Sequence, residues 1–315
     1  AQIRSAIHDL DPEHPRPLQV WSFAPDVPFL CGAFQEERFV YYCVDEYREF
    51  EGVNVDQVAA SEDELLRRAD VVVTTSDELL KTKRAIRPDA VLVPHGVDYD
   101  RFAEAWRNPP PRPDDLAGIP RPILGFFGMI HHWIDVGLIA EVARRRPHYS
   151  FVLIGERGIP TPELDRLLNV YMLGRRSFET LPAYCAGFDA ALMPFTRTRM
   201  TRNVNPIKMY EYLAAGLAVV STSLPEAQRF RGPIRFGDTP DQFAVACDAV
   251  LEGVDAFDRR AEISAVVHDQ TWESRVEQLS ELIMSGVNEV GPREESPRHR
   301  APASHATERD LAATR

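Results

Sequence analysis

Short apolar runs alternate along the chain with stretches whose apolar positions recur every three to four residues. The runs "LQVWSF" (18–23), "FVYYCV" (39–44), "VVVTTS" (71–76), "VLVPHG" (91–96) and "ILGFFGMI" (123–130) read as strands. So do "FVLIG" (151–155), "VYMLG" (170–174), "AALMPF" (190–195), "AVVSTS" (218–223) and "IRFG" (234–237). Between them lie helical patterns such as "SEDELLRRA" (61–69) and "IDVGLIAEVARRR" (134–146). Continuously apolar strands separated by helices predict parallel sheets covered on both faces, an α/β fold.

The Pro-dense stretch "RNPPPRPDDLAGIPRP" (107–122) breaks this rhythm and reads as a stiff linker. It divides the chain near residue 110 into two lobes. The second has about six strands, a full doubly wound sheet, and the first only about four. "AQIRSAIHDL" reads as the middle or end of a helix, and the expectation is that the first lobe lacks its opening portion. "TWESRVEQLSELIMSG" (271–286) predicts a final amphipathic helix, and the polar residues after Gly291 a disordered tail.

Composition narrows the picture. At 315 residues the chain can bury two cores. A net charge of −12 argues against a broad nucleic-acid surface. Four scattered cysteines without CxxC spacing fit a reduced, cytoplasmic setting. No apolar run approaches the roughly 20 residues of a transmembrane helix.

The most informative segment is "NPIKMYEYLAAGLAVVSTS", Asn205 to Ser223. Asn205 is a good N-cap, Pro206 a good first helical residue and Gly216 a good left-handed terminator. The free N–H groups of Ile207 and Lys208 would point out of the helix start, where the dipole favours an anion. Glu211, three residues on, shares the face of Lys208 and can accept two hydroxyl hydrogen bonds, as from a ribose. Met209 and Leu213 face a core. An ordinary surface Lys–Glu pair would have the same spacing.

This segment resembles the donor-site pattern P-x-K-x-x-E-Y-L-A-x-G-x-P-V-V-x-T of glycosyltransferases with the GT-B fold, family 4-like (glycosyl transferases group 1). "VPHGVDYDRF" (93–102) is similar to their "PNGVD…F" segment. "YYCVDEYREFEG" (41–52), "ADVVVTTSDELL" (69–80) and "LPAYCAGFDAALMPF" (181–195) resemble a subgroup found among bacterial cell-surface polysaccharide enzymes. The resemblance implies two Rossmann-like lobes, the N-terminal one incomplete. The implied division is a partial acceptor lobe (1–110), a donor lobe (111–270), a helix bracing the first lobe (271–288) and a disordered tail (289–315). It implies transfer of a sugar from a UDP- or GDP-sugar to a glycan or lipid-linked acceptor. No metal or cofactor is expected, and peripheral membrane contact would suit such an acceptor.

By the same resemblance, Lys208 contacts the donor diphosphate and Glu211 the ribose hydroxyls. Many members carry a second Glu eight positions before the first; here that position is Asn203, which can bind sugar hydroxyls without charge. Many also carry Arg and Lys after the first strand of the second lobe, where this chain reads "GMIHHWID" (128–135), leaving His131 and His132 as phosphate donors. Arg197, Arg199 and Arg202 in "TRTRMTRN" (196–203) could supply the missing charge. The family Asn of "NGVD" is His95 here.

Asp45 follows the strand "FVYYCV", where open α/β sheets place ligands, and is the candidate base for the acceptor hydroxyl; Glu46 is second choice. A turn or helix-cap Asp would look alike. His131 and His132 lack a third spaced ligand, so a metal is not expected. "GFFGMIHHW" lacks the third glycine of a dinucleotide fingerprint, which weakens the alternative of a nucleotide-dependent oxidoreductase. A non-catalytic sugar-nucleotide-binding or partner module is the other alternative.

Overall fold

The computed structural model describes residues 17–252 and 257–285, together with Ser5, Ala6 and Asp9. The expected tail at 289–315 lies outside these residues, as does most of the expected helix end at the N-terminus. Every apolar run singled out above contains a strand. The first sheet has four parallel strands in the order β1 (Gln19–Ser22), β2 (Arg38–Cys43), β3 (Val71–Thr74) and β4 (Val91–Leu92). The second has six: β5 (Ile123–Phe127), β6 (Ser150–Ile154), β7 (Val170–Gly174), β8 (Ala190–Met193), β9 (Val219–Ser221) and β10 (Ile234–Phe236).

Alternation along β2 assigns the two faces of the first sheet. Phe39, Tyr41 and Cys43 pack with Leu65, Leu66 and Leu79 from the helices Val55–Arg68 and Asp77–Arg84. Val40 and Tyr42 face the other way, against Val73, Val93, Leu279 and Ile283. The last two belong to the final helix, Trp272–Ser285, so this helix covers the far face of the first sheet. Successive side chains of a strand point to opposite faces, and both faces here find cover.

The second sheet runs β7-β6-β5-β8-β9-β10, all parallel. This is the doubly wound order whose sequence reverses between its first and fourth strands, here β5 and β8. Ligands in such sheets bind beyond the carboxyl ends of the strands at that reversal.

The chain crosses between the lobes twice at one place. The Val97 N–H donates to the Gln270 carbonyl at 2.9 Å, and the Trp272 N–H to the Val97 carbonyl at 3.3 Å. Gly96 permits this approach, because a Cβ there would stand 2.6 Å from the Trp272 nitrogen. The helix Tyr99–Arg107 then packs into the core of the second sheet, through Tyr99, Phe102 and Ala103. The division therefore falls at the crossing rather than near residue 110: the apolar face of this helix matches the second core. The Pro-rich stretch also holds one helical turn, Asp114–Ala117, starting after Pro113 where proline is tolerated.

Candidate functional site

A cavity of about 850 Å³ lies between the lobes at the carboxyl ends of β2, β5 and β8. The first lobe contributes Asp45 and Glu49, and His95 stands at the crossing. The second contributes His131, His132, Thr196, Asn205, Ile207 and Lys208. The sequence candidates Asp45, His132, Asn205, Ile207 and Lys208 thus line one cavity, Asp45 from the first lobe and the others from the second.

The helix carrying Lys208 runs from Ile207 to Ala214. Pro206, not Asn205, is its N-cap, and no side chain caps it. This corrects the capping role expected of Asn205 and the helical position expected of Pro206. The Asn205 amide is engaged elsewhere: Nδ2 donates to Tyr210 Oη at 3.1 Å and to Glu226 Oε2 at 3.2 Å. The first backbone bond of the helix runs from the Met209 N–H to the Pro206 carbonyl, leaving the N–H groups of Ile207 and Lys208 ahead of it at the cavity. At the other end Gly216, at φ +70°, closes a Schellman motif: its N–H donates to Leu213, and that of Leu217 to Tyr212. Met209 and Leu213 are fully buried, which fixes the rotation of the helix. Tyr212 ties it to the sheet by accepting the Phe127 N–H at 2.8 Å.

Lys208 sits where β5 ends. Its ammonium lies 5.6 Å from the Phe195 ring centroid and 5.9 Å from that of Phe126. A Cβ at Gly128 would come within 2.8 Å of Lys208 Cε, so glycine at φ +136° makes the room. Among the described residues no carboxylate is within ion-pair distance of Lys208. Its pKa is lowered, burial being the larger cause and Glu211 opposing it. A desolvated ammonium without a counter-ion is costly even where it is only half-buried, and an anionic ligand would relieve that cost.

Glu211 does not line the cavity. It is 8% exposed, one turn behind Lys208, with no side-chain hydrogen bond or ion pair among the described residues. Burial raises its pKa to about 7, and Lys208 pulls the other way. A carboxyl with a raised folded pKa binds its proton more tightly in the native state. Its ionisation therefore costs stability as pH rises from the unfolded value towards 7. Glu211→Gln is expected to stabilise the ligand-free chain by about 1–3 kcal/mol more at pH 8 than at pH 5. Denaturant unfolding at the two pH values checks this; an equal effect at both would mean that the carboxyl carries no such cost.

Asp45 follows β2 on the opposite wall, and burial raises its pKa to about 6. Glu46, the second choice for base, is committed elsewhere. Lys83 donates to its Oε2 at 3.0 Å within a buried cluster that includes Glu62 and Arg48. Glu46 lines a neighbouring cavity of about 470 Å³ that shares Glu49 with the first. Arg202 and Asn203 lie in that second cavity too, not with Lys208. The reason is the one-turn helix Arg199–Arg202, whose capping box on Thr198 turns Met200 and Thr201 inward and leaves Arg199 and Arg202 on its other side. Arg197 is paired with Asp238 at 2.9 Å, and Arg199 stands 3.8 Å from Glu49.

His95, noted in the sequence only as standing where the resembled family has Asn, is a wall residue of the cavity. Its pKa is lowered to about 4, by burial first and Arg275 second, so its ring is neutral, and Nδ1 is buried without a partner. His131 stacks on Trp133 and also holds an unpartnered Nδ1. The position of His95 at the end of "VLVP" was the available signal.

Two parallel sheets, a cleft at the strand reversal of the second and a last helix returning to the first make up the two-lobed GT-B fold. Residues 121–253, which make up most of the second lobe, match the family model described as glycosyl transferases group 1. The chain is 29% identical over 258 residues to the putative teichuronic acid biosynthesis glycosyltransferase TuaH of Bacillus subtilis (strain 168). That match takes in 74% of this chain and 63% of the relative, so the chain spans less than two thirds of its length. Among solved structures, Anabaena Alr3699/HepE in complex with UDP and glucose superposes with a TM-score of 0.69 at 14% identity, over 90% of this chain and 82% of that one. Sucrose-phosphate synthase (tll1590) from Thermosynechococcus elongatus superposes at 0.65 with 15% identity, over 91% and 78%. These likenesses carry the fold. Among the described residues no helix is long and apolar enough to cross a membrane.

Proposed function

We propose that the chain transfers a hexose from a nucleoside diphosphate sugar, UDP- or GDP-linked, to a glycan or lipid-linked acceptor in cell-surface polysaccharide synthesis. The observation that carries this reading is Lys208, a half-buried, desolvated ammonium with no carboxylate partner among the described residues, at a helix start open to the inter-lobe cavity. Lys208 and the N–H groups of Ile207 and Lys208 receive the diphosphate and stabilise the charge that builds as it leaves. His132 adds a donor at the cavity rim. Glu211, one turn behind Lys208 and outside the cavity lining, would have to turn towards the cavity to accept from the ribose hydroxyls, and Asn203 and Arg202 would reach the sugar from the neighbouring cavity. Asp45, facing them from the first lobe, takes the proton of the attacking hydroxyl. Cationic side chains and helix N–H groups supply this charge stabilisation without a metal ion. Likeness to a teichuronic acid biosynthesis relative and to a structure in complex with UDP and glucose favours this substrate class. A cytoplasmic site of action, with peripheral contact at the membrane, suits a lipid-linked acceptor.

A thermal-shift screen of the chain against UDP-, GDP- and dTDP-sugars tests the reading. One nucleotide sugar is expected to raise the melting temperature, because a ligand that binds only the native state stabilises it. No shift with any of them at millimolar concentration would count against a donor site.

A further inference from the structure

Glu226 is 1% exposed and lies in the one-turn segment Glu226–Phe230 after β9. Its two oxygens serve different lobes. Oε1 accepts the N–H of Asp77, at the start of the first-lobe helix Asp77–Arg84, at 2.8 Å. Oε2 accepts Nδ2 of Asn205, on the wall of the cavity, at 3.2 Å. Arg229 completes the contact: it stands 3.4 Å from Glu226 and donates to the Asp77 carboxylate. Beside it, Ser76 Oγ donates to the Asn203 carbonyl at 2.6 Å.

The chemistry of these partners sets a direction. A carboxylate only accepts, so Asn205 must turn its NH₂ group towards Glu226. That leaves the amide oxygen, Oδ1, as the free end, and it is buried without a donor in the protein. Asn205 immediately precedes Pro206 and the helix start that holds Lys208. The first lobe thus holds one oxygen of the group whose other oxygen orients the donor segment.

We propose that Glu226 is a positioning residue for the donor site, coupling contact between the lobes to the orientation of Asn205 and the helix start behind it. This rests on the donor-site reading above. While the lobes touch, the carboxylate is fixed from both sides, and it in turn fixes the Asn205 amide just ahead of the helix start. When they part, the Asp77 N–H and the Arg229–Asp77 pair are lost, and Asn205 loses its fixed partner. Donor binding then favours the closed arrangement by the same factor by which closure favours donor binding.

The test is calorimetric titration of the full chain with UDP, GDP and dTDP, using whichever the wild type binds. Asp77→Lys places two cations face to face across the contact without altering any residue of the donor cavity. Glu226→Gln cannot accept from both lobes as the carboxylate does. Each is expected to weaken nucleotide binding about tenfold. The double variant should lose no more than either single one, since both break one coupling. Circular dichroism checks that each variant is folded, and Asp77→Lys keeps the test open if Glu226→Gln does not fold. Single variants that bind within twofold of wild type, or losses that multiply, overturn the coupling. A wild type that binds none of the three nucleotides overturns the donor-site reading and this inference with it.

Discussion

Lys208→Ala is expected to weaken binding of the preferred nucleoside diphosphate by about 1.5–3 kcal/mol, the worth of a hydrogen bond to a charged group. The change removes the positive charge at the helix start and leaves the backbone donors in place, so binding should fall rather than vanish. The fold should not suffer. In the ligand-free chain the ammonium is desolvated, lies between the Phe126 and Phe195 rings, and meets no carboxylate at ion-pair distance among the described residues. Its removal should leave the melting temperature unchanged or higher, as is common where a site stores an unfavourable group for its ligand. Calorimetry and thermal unfolding of one protein sample separate the two effects. Unchanged affinity would take Lys208 out of the site; lost affinity with a collapsed melting temperature would make its role structural.

Asp45→Asn is expected to cut turnover of the nucleotide sugar about 10²–10⁴-fold while leaving nucleotide affinity within about twofold. The residue faces the cavity from the lobe opposite Lys208, so the change should appear in kcat and not in donor binding. A base must be ionised to accept a proton, and burial lifts the Asp45 pKa to about 6. The wild-type rate should therefore climb as pH rises through about 6, and this limb should be missing from the variant. Equal kcat in the two proteins, or a rate flat across that range, would exclude Asp45 as the base.

The sheets were legible because burial on both faces leaves a mark in the sequence. A run such as "FVYYCV" has few alternatives to a covered strand, and the structure buries every residue of β2. The turn of Gly216 was legible for a similar reason, since few residues adopt φ +70° without strain. The helix start was misread by one residue because two pulls compete at Asn205. Local capping chemistry favours it as N-cap, but the Glu226 carboxylate, 21 residues on, captures its amide. Asn203 was assigned to the donor site by its spacing from Glu211 and Arg202 as part of a basic loop, and neither signal foresees a separate helical turn that brings them to the next cavity. The contact at Asp77 left no sequence signal. Its partners are 149 and 152 residues apart, and only the folded arrangement brings them together.

The double passage of the chain near Val97 has a mechanical corollary. Two segments laced side by side by the Val97–Gln270 and Trp272–Val97 hydrogen bonds resist sliding and torsion, yet bend easily across their line. Once the contacts at Ser76 and Asp77 are released, bending at that joint is the motion the two hydrogen bonds oppose least. Bending about it would widen or narrow the cavity whose opposite walls carry Asp45 and Lys208, the separation a transfer reaction must bridge.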